Sequence, residues 1–544
     1  MTQVATPETV VGSFDNVTLN SRGRDYHLKR RGDEFLVTMA DPDWEVSAQG
    51  MGAQLSQISN PPIVTRRIVM TTGSHHMQGY WVSSNFGNQL RQLPWYFLIP
   101  EQRWVPREDV FIEPPDTPRH FMVWNDNCIV CHSVGGRPGI DSVRQTVFTE
   151  VAELGISCEA CHGPGQQHVL AQRNIAEGRK VATTQQDTIV NPARLDSHSA
   201  SQICGQCHSI FVPPSWPEFL NAGYKYRAGG DLESTRRTWT FAKASGLEGN
   251  DRVRGHFWPD GTCRTGGREF LAMKDSLCYL KGDLSCLSCH SMHDSDPDGQ
   301  LKISLLDNKA CLQCHSEMES RVEEHTHHAV GSSGSLCYSC HMPRTSFALL
   351  NTIRSHRITS PRVKQPTTAS QPNACNLCHQ KETLAWTAAK LNEWYATPRP
   401  ELDDDQKEIA ASVLWLLRGN VMQRTIAAWH MGWDPGLEVS GREWQARFLL
   451  ELLDDDYAVL RFVAGRSMKK HPSVADLPFD FVGSPEERAA AQGQALAAWK
   501  LLKLELPDEV LNRLLFESSS QDVDEARFDR LLKQRDRTPV WLPE

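Results

Sequence analysis

One short string recurs seven times and limits what this chain can become. C-x-x-C-H stands at Cys128, Cys131 and His132; at Cys158, Cys161 and His162; at Cys204, Cys207 and His208; at Cys286, Cys289 and His290; at Cys311, Cys314 and His315; at Cys337, Cys340 and His341; and at Cys375, Cys378 and His379. Fourteen of the sixteen cysteines are used this way. Two thiols across a tight turn can add to the two vinyl groups of one porphyrin, and the next residue, histidine, then lies under the ring as proximal iron ligand. The string therefore reads as the attachment signature of c-type haem, and the cofactor expected is seven covalently attached haem c groups. Structural zinc also uses C-x-x-C, but it does not demand histidine directly after the second cysteine in every copy. A disulfide framework is disfavoured, because such close pairs rarely serve one.

The motifs divide the 544 residues into three parts. Residues 1–120 hold no cysteine and read as a β-rich N-terminal region. Glu34–Met39 and Pro62–Thr72 carry β-branched and aromatic residues between Gly, Pro and Asp breaks. The prolines of Leu93–Glu108 argue against a helix there. Residues 121–385 form the seven-haem cytochrome c domain, with first cysteines separated by 30, 46, 82, 25, 26 and 38 residues. So little chain per porphyrin makes the haems themselves the core, wrapped in short helices and loops with little regular secondary structure. Residues 386–544 lose the cysteines and gain helical periodicity. Ile409, Val413 and Leu417 share one face, and so do Trp444, Phe448 and Leu452. Ser484-Pro485-Glu486-Glu487 reads as a capping box with proline at the first helical position. Helices of 12–18 residues in stacked antiparallel pairs are expected, separable from the haem segment near residue 390.

Fourteen histidines lie outside the motifs and form the pool of second axial ligands. His168 follows the second motif across a Gly-Pro-Gly turn. His293 follows the fourth and is expected to reach a haem other than its own. One of His325, His327 and His328 is expected to ligate, with His328 chosen, and His356 lies between the sixth and seventh motifs. Of His75 and His76, ending a strand-like run, His76 is chosen. The bland reading of each is a surface or hydrogen-bonded imidazole. That reading is preferred for His430 and His471, and His27, His120, His198 and His256 stay outside the ligand set. Cys263 and Cys278 belong to no motif; a disulfide and two free thiols are both compatible with their spacing.

With these strings in view, the chain resembles the multihaem cytochromes c related to the tetrahaem electron acceptor of hydroxylamine oxidoreductase. More distantly it is similar to octahaem reductases and pentahaem nitrite reductase. TTGSHHMQGYW, WNDNCIVCHS, FWPDGTCRTGGREF and NACNLCH look like a bacterial branch in which HEAT-like or tetratricopeptide-like helices follow the haem segment. RTIAAWHMGW and LLELLDDDYAVLRFVAGRSM look more like HEAT repeats. The resemblance thus implies a multihaem core followed by all-α HEAT-like repeats. Relatives begin with a signal peptide and one further C-x-x-C-H, which the resemblance places upstream of the given start. The pentahaem nitrite reductases carry a C-x-x-C-K motif; all seven motifs here end in His.

Haem c is attached outside the cytoplasm, so a periplasmic or extracellular location is expected. Residues 1–20 show neither a basic nor an apolar leader segment. No apolar run is long enough to cross a bilayer. A formal charge of −9 leaves no electrostatic footprint for nucleic acid. The first functional reading is an electron carrier that passes charge along closely packed haems. Its partner would be a redox protein: a donor or acceptor cytochrome, or a membrane quinol dehydrogenase. The rival is a multihaem oxidoreductase acting on a small nitrogen or sulfur compound at one open haem, with catalytic residues unassigned.

Overall fold

A computed structural model describes residues 2–55, 58–115, 117–118, 121–141, 143–182, 188–245, 255–296, 299–363 and 370–542. Its contacts divide the chain into two compact units. The first joins Met1–Val110 to Pro118–Trp239, and the second joins Phe111–Thr117 to Thr240–Glu544. Residues 120 and 385 each lie inside one of these units. Three motifs share a unit with the β-rich region, and four share a unit with the helices.

The first unit opens with an antiparallel sheet. Its strands are β1 Thr2–Val4, β2 Val17–Ser21, β3 Arg24–Arg31, β4 Glu34–Ala40, β5 Ile63–Thr72, β6 Met77–Ser83, β7 Leu90–Leu98 and β8 Arg103–Pro106. They run as a meander from β2 to β8, with β1 paired to the end of β5. Period-two alternation explains the register. Tyr26 and Leu28 of β3, and Phe35, Val37 and Met39 of β4, face one side and are buried. They pack with Phe14, Tyr80, Trp95, Phe97 and Trp104 into an aromatic core. The proline-bearing stretch from Leu93 is strand, as the absence of helix there allows. Pro106 ends β8, opposite Trp95. A smaller cluster of Met70, Trp81, Met122, Trp124 and Ile129 joins the sheet to the first motif. Beyond it, regular structure is sparse: helices Cys158–His162, Gln166–Ala176 and Ser197–Gly205, with two-residue strands before and after them.

The second unit begins similarly, with short helices around each motif, and then becomes helical. Ala411–Leu417, Val421–His430, Asp434–Ser440, Trp444–Leu449, Ala458–Met468 and Pro485–Trp499 form its body. Most are shorter than the 12–18 residues expected. Gly441 stops one at φ 73°, while Asn420 starts a fresh capping box one residue after Gly419. Ile409, Val413, Leu417, Trp444, Phe448 and Leu452 are all buried. The Ser484 capping box forms as read: the Glu487 amide donates to Ser484 Oγ at 3.2 Å, and the Ser484 amide to Glu487 Oε2 at 2.8 Å. No helix among the described residues is long and apolar enough to cross a membrane.

Candidate haem-binding centres

Each motif adopts one tight turn that ends with its histidine. The His208, His290, His315 and His379 amides donate to the carbonyls of Cys204, Cys286, Cys311 and Cys375 at 2.8 to 3.0 Å. Cys158–His162 and Cys337–His341 are single helical turns. In the first motif, Trp124–Cys128 is a π-helical turn leading into Ile129–His132. Asn125 ties that turn to the sheet by accepting from the Leu90 amide at 2.7 Å and donating to Thr149 Oγ1 at 2.7 Å.

Within each unit the turns are linked in a row. In the first, Cys131 Sγ approaches Cys207 O at 4.0 Å. Gln206 Nε2 donates to Ala160 O at 2.9 Å, joining the third motif to the second. In the second unit, Gln313 Nε2 donates to Ser288 O at 3.1 Å, joining motifs five and four. Asn308 joins five to six: it accepts from the Cys337 amide and donates to Ser335 O, both at 2.8 Å. The helical turn of the sixth motif packs on Ala374–Cys378 of the seventh. The row is therefore one–three–two in the first unit and four–five–six–seven in the second. The seventh turn is built into the helical body. Buried Asn376 bonds Glu382 O and Thr387 Oγ1, and Gln380 bonds Ser440 Oγ and His430 O. The expected separation near residue 390 thus cuts through a hydrogen-bond network.

Three motif histidines face an imidazole from outside the motifs. Ring centroids of His290 and His356 lie 6.1 Å apart, those of His341 and His325 6.2 Å, and those of His379 and His328 5.9 Å. Among the described residues, every histidine–histidine ring pair joins a motif histidine to a non-motif one. Ring planes in two pairs are nearly parallel, at 26° and 4°. Hydrogen bonds fix the tautomers. Nδ1 of His328, His341 and His356 bonds the carbonyls of Thr326, Thr359 and Arg354 at 2.6, 3.1 and 3.1 Å. A carbonyl only accepts, so Nδ1 carries the proton and Nε2 is the nitrogen suited to a metal. His162 does the same with Val190 O at 2.7 Å. Burial lowers the His341 and His132 pKa values. Burial, then the charge of His328, lowers that of His379 to about 4. These rings are neutral at pH 7, the form that ligates.

The remaining sequence-selected residues are placed as follows. His168, on helix Gln166–Ala176, has a buried Nδ1 without a hydrogen-bond partner. His293 is exposed after the fourth motif, its amide bonded to Ser291 Oγ. His75 and His76 are exposed in the turn between β5 and β6. His208 and His315 are exposed. His120 lies outside the described residues. His430 and His471 are buried and satisfied within the helices: His430 Nδ1 bonds Ile426 O, and His471 bonds Met431 O and the Glu443 amide. His256 bonds Thr265 Oγ1 and His27 bonds Thr18 Oγ1. Cys263 and Cys278 are unjoined thiols, the first buried and the second half-buried. The sequence reading missed that two of the three clustered histidines, His325 and His328, meet motif histidines. Their spacing of three was the available signal.

The site residues fit haem. Metal–nitrogen bonds to histidine run about 2 Å, so two such bonds and the half-widths of two rings fill a gap of about 6 Å. Large apolar side chains around the motifs, including Phe148, Leu277, Leu280, Ile303 and Val330, are exposed in the protein chain alone. No group of three or more His, Cys, Asp or Glu side chains among the described residues converges as a metal site.

Comparison with known proteins agrees. Residues 299–380, which span motifs five to seven, match the family described as cytochrome c7 and related cytochrome c. The multiheme cytochrome MtrA of Shewanella baltica strain OS185 is 24% identical over 229 residues, 40% of this chain. The match spans 60% of that relative's length. No solved structure matches. Residues 299–380 thus carry a cytochrome c7-like multihaem domain, and both likenesses point to the c-type multihaem cytochromes.

Proposed function

We propose that the chain is a periplasmic or extracellular electron carrier with seven haem c groups, one on each motif. The observation that carries this is the three imidazole pairs, each spaced for one iron. His290 and His356, His341 and His325, and His379 and His328 would be the axial ligands of the fourth, sixth and seventh haems. When bound, haem supplies an iron that changes oxidation state by one electron. Two neutral imidazoles hold both states in nearly one geometry, which keeps reorganisation small. The row of linked turns orders the carriers as four–five–six–seven in one unit and one–three–two in the other. His76, His168 and His293 are the proposed ligands for irons not paired above. The helices from Ala411 to Trp499 are read as HEAT-like. They offer a docking face for a redox partner, a donor or acceptor cytochrome or a membrane quinol dehydrogenase.

A pyridine haemochrome assay on the mature chain tests the stoichiometry; seven haems are expected, and five or fewer would refute the reading. Carbon monoxide should not bind the reduced fourth, sixth and seventh haems, because both axial positions are filled.

A further inference from the structure

Two half-buried arginines of the second unit, Arg344 and Arg354, have no acidic partner among the described residues. Arg344 donates Nη1 to Thr352 O at 2.8 Å and lies over the Trp429 ring, 5.4 Å from its centroid. Its buried Nε has no hydrogen-bond partner. Arg354 donates Nη1 to Tyr338 O at 3.0 Å and Met342 O at 3.3 Å, and lies 4.1 Å over the Tyr338 ring. Arg344 is close enough for its charge to oppose that of Arg354. Neither forms an ion pair with any carboxylate among the described residues. Two like charges, partly desolvated and paired only with carbonyls and ring faces, call for an anion.

Their place says which anion. Tyr338 lies between the two cysteines of the sixth motif, and Met342 follows its histidine. The Cys378 sulfur of the seventh motif is within electrostatic reach of Arg354. Arg354 O also holds His356 Nδ1. Haem brings two carboxylates of its own, the propionates, on the porphyrin edge opposite the thioether bonds. A guanidinium beside Tyr338 would lie at the thioether edge of a haem held by Cys337 and Cys340, so propionates reaching it would belong to a neighbouring haem.

We infer that Arg344 and Arg354 form a receptor for the propionate carboxylates of a haem adjacent to the sixth motif. Guanidinium suits this role because its planar fork can bond a carboxylate through two N–H groups. The inference rests on the proposal that the sixth motif and its neighbours carry haem. The arginines also raise the potential of the haem they hold, since a nearby cation favours the ferrous state.

The test is a spectroelectrochemical titration of the full mature chain beside its haem count, for the wild type, Arg344→Gln, Arg354→Gln and Arg354→Lys. Both Gln variants should keep the wild-type haem count and lower at least one midpoint potential. Arg354→Lys should recover most of the shift. Inorganic phosphate should leave wild-type potentials where chloride of equal ionic strength leaves them. Unmoved potentials in the Gln variants would overturn the receptor. So would a phosphate-specific shift in the wild type that the Gln variants lack, which would make the occupant a free anion. If Arg354→Gln does not accumulate, Arg344→Gln carries the same expectation. A wild type without haem on these motifs would instead refute the underlying reading, and the haem count reveals that separately.

Discussion

His325 and His328 are three residues apart, yet they face different motif histidines. His327 makes this geometry. Its φ of 56° turns the chain in the left-handed region, where non-glycine residues are uncommon. Its ring stacks on Trp394 at 4.2 Å and 15°, and the Tyr395 hydroxyl donates to His325 O. Trp394 and Tyr395 are therefore positioning residues for two proposed ligands. Trp394→Ala should leave the haem count unchanged but let carbon monoxide bind a fraction of the reduced haems, and Trp394→Phe should restore exclusion. His328→Met should raise the midpoint potential of one haem, because methionine ligation favours the ferrous state. A titration with every potential unmoved would remove His328 from the ligand set. A third residue-scale expectation concerns acid. Burial, opposed by the hydrogen bond to Met431 O, holds the His471 pKa down at about 4. Unfolded histidine titrates near 6.5, so between pH 6.5 and 4 the unfolded chain binds the extra proton and stability falls as pH falls. His471→Gln should flatten that loss by roughly 2–3 kcal/mol across the window, read from denaturant melts at several pH values.

At the scale of elements, the seventh motif belongs to the helices. Asn376 and Gln380 take their partners from Glu382, Thr387, His430 and Ser440. Ending the chain at Thr383 removes three of these four and leaves buried polar groups unpaired, which costs about 1–3 kcal/mol for each. The truncated chain should lose low-spin character at the haem on Cys375 and Cys378, visible as new carbon monoxide binding. A spectrum identical to that of the full chain would show that the motif stands alone. Ser484→Ala should destabilise the helix at Pro485–Trp499 by about 1 kcal/mol without touching the haem spectrum.

Much of this was legible in the sequence, and the limits have physical causes. The attachment turns could be read because the chemistry needs two thiols and an imidazole within five consecutive residues. The sheet could be read from the alternation in Phe35, Val37 and Met39, and the Ser484 cap from four adjacent residues. Ligand pairing could not be read, because His356 lies 66 residues from His290. Which histidine crosses that gap depends on how the turns stack. The join of the seventh motif to the helices was hidden for the same reason, since the bonds from Gln380 to His430 and Ser440 are long in sequence. Helix lengths are shorter than the apolar period suggests because Gly419 and Gly441 interrupt it.

At the scale of the whole molecule, the two units each hold their own row of linked attachment turns. The central claim is that the row in the second unit carries bis-imidazole haems. Near-infrared magnetic circular dichroism of the fully oxidised chain tests this most directly, because its ligand-to-metal band reports the axial pair of each low-spin ferric haem. The expected result is bis-histidine intensity equivalent to at least three haems, matching His290 with His356, His341 with His325, and His379 with His328. Intensity equivalent to fewer than three would contradict it.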